Sequence, residues 1–556
     1  MKTGFKIMVV VVLLAIVAAC GPKATTTSPT VVPTGTKALE PAEPVTRPIV
    51  IIASDDPASA DPAENWSFGG AAYLPNVYEG LFRFVGASSP TLEPWLAAEI
   101  PTTANGGISS DGLTYTIKLK NNAKFHDGSL VNADAVVYSY ERMAALKLGA
   151  NGVSADWVKK VEKVDDFTVK FTLNQPFADF LNALASVWGS YIVNPAVTKA
   201  NEKDNDWGHA YLLDKDAGSG PYILSNFDHA AKTITLDRYK DYWGCWKGDN
   251  HIEKAFIRWL ADATTARPML EKGDADVLIN PSVADFQALM STMGMVSYKN
   301  PSIMQYYIAL NASVKPLDDV TVRQALQYSF DTERIIQEIF NGTVVKMDAA
   351  VGPGYPDVYK AATEYAYDPQ KAKELFAQAG YASGLELTVN RTGAPNDQAV
   401  LELWQADLKK LGVTLKIQDV DMGTWSTAWF TDCTAATAPN IGQISTMQVG
   451  GDYPSAWEVV AQVYPVPRLG GGKCSVNYIN NPTLNDTFNK IAATTDPAAR
   501  KTLFQKLYDT IAADAGVINI GQGNDLVVTR DVVQGYTYYF SRGGNYLPLA
   551  SMFLLK

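Results

Sequence analysis

Four histidines, His126, His209, His229 and His251, are the imidazoles this chain offers, and none stands three or four residues from another. A helical zinc pair needs that spacing to place two rings on one face, so helix-borne metal chemistry is excluded. "GGGK", Gly470–Lys473, lacks the spacing and the Ser or Thr of a phosphate-binding loop, and "GSGPY", Gly218–Tyr222, lacks a nucleophile-elbow pattern. Acidic residues are numerous, as a net charge of −11 requires, and read mostly as solvated faces. The cysteines, Cys20, Cys245, Cys433 and Cys474, include no CxxC, which removes redox-motif and zinc-ribbon readings. No catalytic residue, metal or cofactor is expected. What is left points to binding, with an enzyme the lesser alternative.

Cys20 has a different significance. It ends an apolar run, Ile7 to Ala19, that follows Lys2 and Lys6 and is shorter than the ~20 residues a membrane-spanning helix needs. Residues 1–19 read as a signal peptide, and Ala18-Ala19 before Cys20, with Gly21 after it, resembles the lipobox of bacterial lipoproteins. That resemblance implies cleavage before Cys20 and lipidation of its sulfur; an ordinary signal peptide is the alternative. Residues 20–47 then form a Thr- and Pro-rich tether without hydrophobic period, able to reach roughly 30 to 80 Å. Of the other cysteines, Cys433 and Cys474 flank one loop-rich stretch and are the expected disulfide, with three free thiols the alternative.

The body that follows is large. The chain has 556 residues, 47% hydrophobic and 11% aromatic, enough for a substantial core and more than one lobe. With no strong basic block, nucleic acid is not an expected partner. "PIVIIAS", Pro48–Ser54, reads as a buried strand. "GLTYTIKLK" alternates, with Leu113, Tyr115, Ile117 and Leu119 toward a core and Thr114, Thr116, Lys118 and Lys120 toward water. Asn132 is placed to cap a helix carrying Val136, Val137, Tyr140 and Met143. Asp368, Pro369 and Gly380 bracket another helix, and a third, roughly Asp397 to Leu411, ends at Gly412 before the strand "VTLKI". The succession predicts mixed α/β lobes.

"DGLTYTIKLKNNAKFHDGSLVNADAVVYSYER", Asp111–Arg142, closely resembles the signature of the family 5 extracellular solute-binding proteins, the oligopeptide- and dipeptide-binding group of ABC importers. "NVYEGLF", "GSGPY", "YKDYW", "GDAD", "PLDDVTVRQALQYSFD" and "YDPQKAKELFAQAGY" follow the family's order. Physically these motifs look architectural: Phe125, Tyr242 and Trp243 as core or lobe packing, Gly128, Gly220 and Gly273 as turns. The resemblance implies a two-lobed α/β fold of the periplasmic-binding type, peptide-binder class, with an inserted subdomain at roughly residues 80–216. Lobe I would be residues 48–305 plus 518–556, and lobe II residues 306–517. It further implies a monomer, not an enzyme, lipid-anchored outside the cytoplasmic membrane and delivering solute to permease subunits with cytoplasmic ATPases.

The resemblance also bears on the ligand. Peptide binders of this family carry an Asp for the peptide's α-ammonium within a pattern like W-x-x-D-Y-x-x-P. "QVGGDYPSAW" puts Asp452 there, with Gly450, Gly451 and Tyr453 around it, although Val449 replaces the tryptophan and Ser455 stands where many relatives have a second acid. Trp425, Trp429 and Trp457 keep an oligosaccharide or another small solute open as the ligand, Trp425 and Trp429 being equally a packed helical pair. A non-transport surface lipoprotein and a hydrolase are the remaining alternatives.

Overall fold

The computed structural model describes residues 45–556 except 46, 54–56, 58, 66, 87–89, 150, 247, 249, 261, 392, 394–395, 422–441, 465–476, 480 and 540–545. Cys20 with the leader, Trp425, Trp429, Cys433 and Cys474 lie outside the described residues. Two residues read as tether already belong to the body: Val45 N–H donates to Leu554 O at 3.0 Å, and the Arg47 guanidinium forks onto Asp276 at 2.7 and 2.5 Å.

Eleven strands make one continuous sheet. From one edge it runs Val413–Asp419, Leu385–Arg391, Ile444–Val449, Met295–Leu310, Val517–Arg530, Val277–Ile279, Ile49–Ala53, Lys254–Trp259, Thr233–Arg238, Tyr222–Asp228, with Val344–Lys346 also paired to Val517–Arg530. The first lobe lies on the Ile49–Ala53 side and the second on the Leu385–Arg391 side. The two long strands in the middle are antiparallel partners and belong to both. Met295–Pro301 pairs with Asn524–Arg530, and Gln305–Ala309 with Gln522–Val517. Register breaks between Pro301 and Gln305, and again between Tyr306 and Tyr307. Such irregularities bend and twist a ladder locally, here where the lobes meet.

The local expectations rest on neighbouring residues and are met. Asn132 accepts the Ala135 amide at 3.1 Å and starts helix Ala133–Leu146. Asp368 caps Pro369–Gln378 through Lys371 N–H at 2.9 Å. Strand Thr114–Lys118 buries Tyr115 and Ile117 in a three-stranded sheet with Thr168–Leu173 and Val158–Asp165. This small sheet and helix Ala133–Leu146 fall within the stretch read as an inserted subdomain. Arg142 fixes it to the first lobe by a fully buried fork onto Asp61 at 2.9 and 2.5 Å, and His209 Nδ1 lies 2.8 Å from the same carboxylate.

The subdomain also packs on the second lobe. Trp157 stacks on Phe177 with ring centres 3.7 Å apart, Trp457 stacks on Phe488 at 4.5 Å, and Phe177 meets Trp457 at 5.2 Å. All four rings are buried in one apolar cluster that runs from subdomain to second lobe. Among the described residues no helix is long and apolar enough to cross a membrane.

Candidate functional site

Where the lobes face each other lies a partly open cavity of about 330 Å³. The first lobe supplies Glu79, Arg83, Trp95, Tyr191 and Tyr242, the second Asp452 and Tyr453, and the crossing strand Ile303.

Glu79 follows helix Phe68–Val77, which Ser67 caps through Gly70 N–H at 3.0 Å. Its carboxylate is 2% exposed and accepts three hydrogen bonds: Tyr242 Oη at 2.7 Å, Trp243 Nε1 at 2.7 Å and Ser219 Oγ at 2.8 Å. Burial pushes the Glu79 carboxyl above the usual carboxylate range, and these donors pull it part of the way back. Two glycines make the arrangement possible. A Cβ on Gly218 would lie 2.0 Å from Val77 O, and one on Gly220 2.5 Å from Asn76 O. Gly220 therefore serves close backbone approach, not the turn its sequence suggests. Tyr242 and Trp243, read as packing residues, are buried or half-buried, yet they also hold a carboxylate in the cavity wall. Nothing in the local sequence marks Glu79, because Ser219, Tyr242 and Trp243 lie 140 to 164 residues away.

Lys120 departs from the outward orientation that its alternation predicts. Its Nζ donates to Trp95 O at 2.5 Å and stands 5.1 Å from the Trp243 ring centre.

The opposite wall begins where strand Ile444–Val449 ends. Asp452 is 7% exposed, and its carbonyl accepts Ser186 Oγ from the inserted subdomain at 2.7 Å. Gly450 and Gly451 are buried behind it. A Cβ on Gly450 would lie 2.7 Å from Met304 Sδ, and one on Gly451 2.7 Å from Tyr453 O. These glycines let the loop sit against the crossing strand; the cavity lining itself is Asp452 and Tyr453. Gly451 N–H donates to the Tyr355 hydroxyl at 3.0 Å, and that hydroxyl donates to Ile303 O at 2.6 Å. One phenol thus links the irregular part of the long strand to the Asp452 loop.

Ser455 caps helix Ala456–Val463 and donates to Asp179 of the subdomain at 2.5 Å. Arg500, from helix Pro497–Asp514, holds the same Asp179 at 3.0 and 3.1 Å and Asp357 at 2.8 Å. Trp457 is 3% exposed, with Nε1 donating to Phe488 O at 3.1 Å. Cys245 is exposed, with its Sγ 3.9 Å from Trp243 O.

The family described as bacterial extracellular solute-binding proteins, family 5 Middle, matches residues 91–465. Heme-binding protein A of Haemophilus influenzae is 31% identical over 364 residues, covering 61% of this chain and 63% of that protein. The aligned stretch therefore spans less than two thirds of that relative. Glutathione-binding protein GsiB of Pectobacterium atrosepticum is 27% identical over 423 residues, covering 73% of this chain and 77% of that one. Among solved structures, the substrate-binding protein CtaP of Listeria monocytogenes superposes with a TM-score of 0.79 at 22% identity, over 92% of this chain and 99% of that one. The periplasmic binding protein DppA of Helicobacter pylori, in complex with the peptide STSA, gives 0.74 at 23% identity, over 91% and 98%. The chain belongs to the family 5 solute-binding proteins and has their two-lobed α/β fold.

Proposed function

We propose that this family 5 protein is the substrate-binding component of an ABC importer, anchored through Cys20, which captures short peptides between its lobes and delivers them to a permease. The observation that carries the reading is the position of Asp452. It lines the cavity between the lobes, on a loop that Ser186 grips from the opposite side. A peptide's α-ammonium loses water as the lobes close, and a carboxylate fixed in the wall replaces that water. The register breaks near Pro301–Gln305 supply the place where the paired strands bend. Glutathione and peptide ligands named for relatives have the same chemistry, a free ammonium beside peptide groups. Trp457, one of the rings that kept a sugar ligand open, is stacked inside the aromatic cluster and offers no free face.

Asp452→Asn tests this by calorimetry with a dipeptide and its N-acetyl form. The free dipeptide should weaken about 30- to 4,000-fold on mutation, while the acetylated one changes little. Equal weakening of both would make Asp452 a scaffold element, and binding of oligosaccharide but no peptide would overturn the reading.

A further inference from the structure

Asp452 accounts for a cation, but the cavity wall also holds a cation of its own. Arg83 lies on strand Phe82–Val85, paired with Glu93 of Thr91–Pro94. Its guanidinium carbon is 3.4 Å from the centre of the Trp95 ring and 5.7 Å from that of Tyr539. The Glu93 carboxylate reaches it only at 3.5 Å, and that side chain is 46% exposed, so solvent weakens the pair. Arg83 Nε is buried and has no hydrogen-bond partner among the described residues. The buried Tyr191 hydroxyl, in the same cavity lining, also lacks one among them. Glu79 does not fill this need, since Tyr242, Trp243 and Ser219 already occupy it. Lys120, 5.6 Å from the same Trp95 ring centre, adds positive potential behind the guanidinium.

A guanidinium stacked on an indole has one face covered and its plane fixed. Its N–H groups then point within that plane, the geometry that suits a carboxylate fork. We infer that Arg83 is a specificity-determining residue that pairs with a carboxylate of the bound peptide, so the ligand must carry an acid as well as an amine. This rests on the peptide reading of the Asp452 site. The acid is a C-terminal carboxylate or an acidic side chain. A cavity near the small end of the ~300 to 1,000 Å³ range for ligand pockets suits a short peptide.

The test is calorimetry on the wild type, Arg83→Gln and Arg83→Lys with the dipeptide Ala-Leu, its C-terminal amide, and Ala-Glu amide. Amidation of Ala-Leu should weaken wild-type binding about 30-fold or more. Arg83→Gln should bind acid and amide alike, and Arg83→Lys, which keeps the charge without the fork, should keep only part of the preference. If Ala-Glu amide regains affinity for the wild type and not for Arg83→Gln, a side-chain acid is the partner; otherwise it is the C-terminus. The thermal midpoint establishes that the variants fold, and Arg83→Lys carries the test should Arg83→Gln not. Equal amidation losses in all three proteins, with no Arg83-dependent gain for Ala-Glu amide, overturn the inference while leaving the Asp452 reading standing. Absence of binding by any peptide, with or without N-acetylation, overturns both.

Discussion

Asp179 and Arg500 are 321 residues apart in sequence and 3.0 Å apart in space, with both side chains about nine-tenths buried. One belongs to the inserted subdomain, the other to the second lobe, so the pair exists only while the two are in contact. Burial pushes the Arg500 guanidinium down, but Asp179 and Asp357 outweigh it and hold the charge firmly.

Arg500→Ala leaves Asp179 buried without its counter-ion. The closed arrangement should lose about 3 kcal/mol, and apparent ligand affinity about 100-fold. Small-angle scattering should show a larger ligand-free radius for the variant than for the wild type. The double variant Asp179→Asn/Arg500→Met, which removes both charges, should recover part of the loss. No recovery would mean that packing, not charge, governs this contact.

His126 makes stability depend on pH. Its Nδ1 lies 2.9 Å from Asp216 and its Nε2 2.9 Å from Gly220 O, two acceptors that only the doubly protonated ring satisfies. Burial pushes its pKa down, but Asp216 and Gly220 outweigh this and hold it above the ordinary 6.5. A raised folded-state pKa contributes stability fully below the unfolded value and loses it as pH rises through the folded one. The urea midpoint of the wild type relative to His126→Gln should therefore be higher at about pH 6 than at about pH 9. A difference unchanged with pH would show the ring to be neutral throughout.

Glu79→Ala strands the Tyr242 hydroxyl, the Trp243 indole N–H and the Ser219 hydroxyl together. The expected loss is about 3 kcal/mol in denaturant unfolding. Glu79→Gln should lose less, because its carbonyl oxygen still accepts. Equal losses from the two substitutions would indicate that side-chain volume dominates.

The anchor is tested by Cys20→Ser, which should move the body from the wash-resistant membrane fraction to the soluble one, as no other lipid attachment is proposed. Retention of wild type and variant alike would remove the lipid anchor from the proposed function.

Asn132, Asp368 and the Tyr115–Ile117 alternation were legible because each is decided within a few residues of itself. Val322, Ala325 and Leu326 of helix Val320–Tyr328 follow helical spacing and are likewise buried. Of the residues singled out through the family resemblance, Asp452 and Tyr453 line the cavity. Glu79 sits in, and Arg83 directly after, a motif that reads as architecture, and what gives them meaning comes from other segments: Ser219, Tyr242 and Trp243 for one, Trp95 and Tyr539 for the other. Lys120 misled for a related reason. Alternation assigns a side to each residue of a strand but cannot see an aromatic shelf arriving on the outer side.

The central strand pair also dictates an order of assembly on the ribosome. Val277–Ile279, the inner strand of the first lobe, pairs on one side with Ile51 and Ile52 and on the other with Val527–Thr529. The chain leaves for the second lobe after Leu310 and returns at Val517, directly opposite Ala309. Strands of the second lobe from Val344 to Val449 emerge entirely within that excursion. During N-to-C synthesis the first lobe is thus begun first and completed last, its inner edge open until residues 524–530 appear. A nascent chain stalled before that point presents an unpaired edge strand, the form most exposed to aggregation and most in need of a chaperone before export.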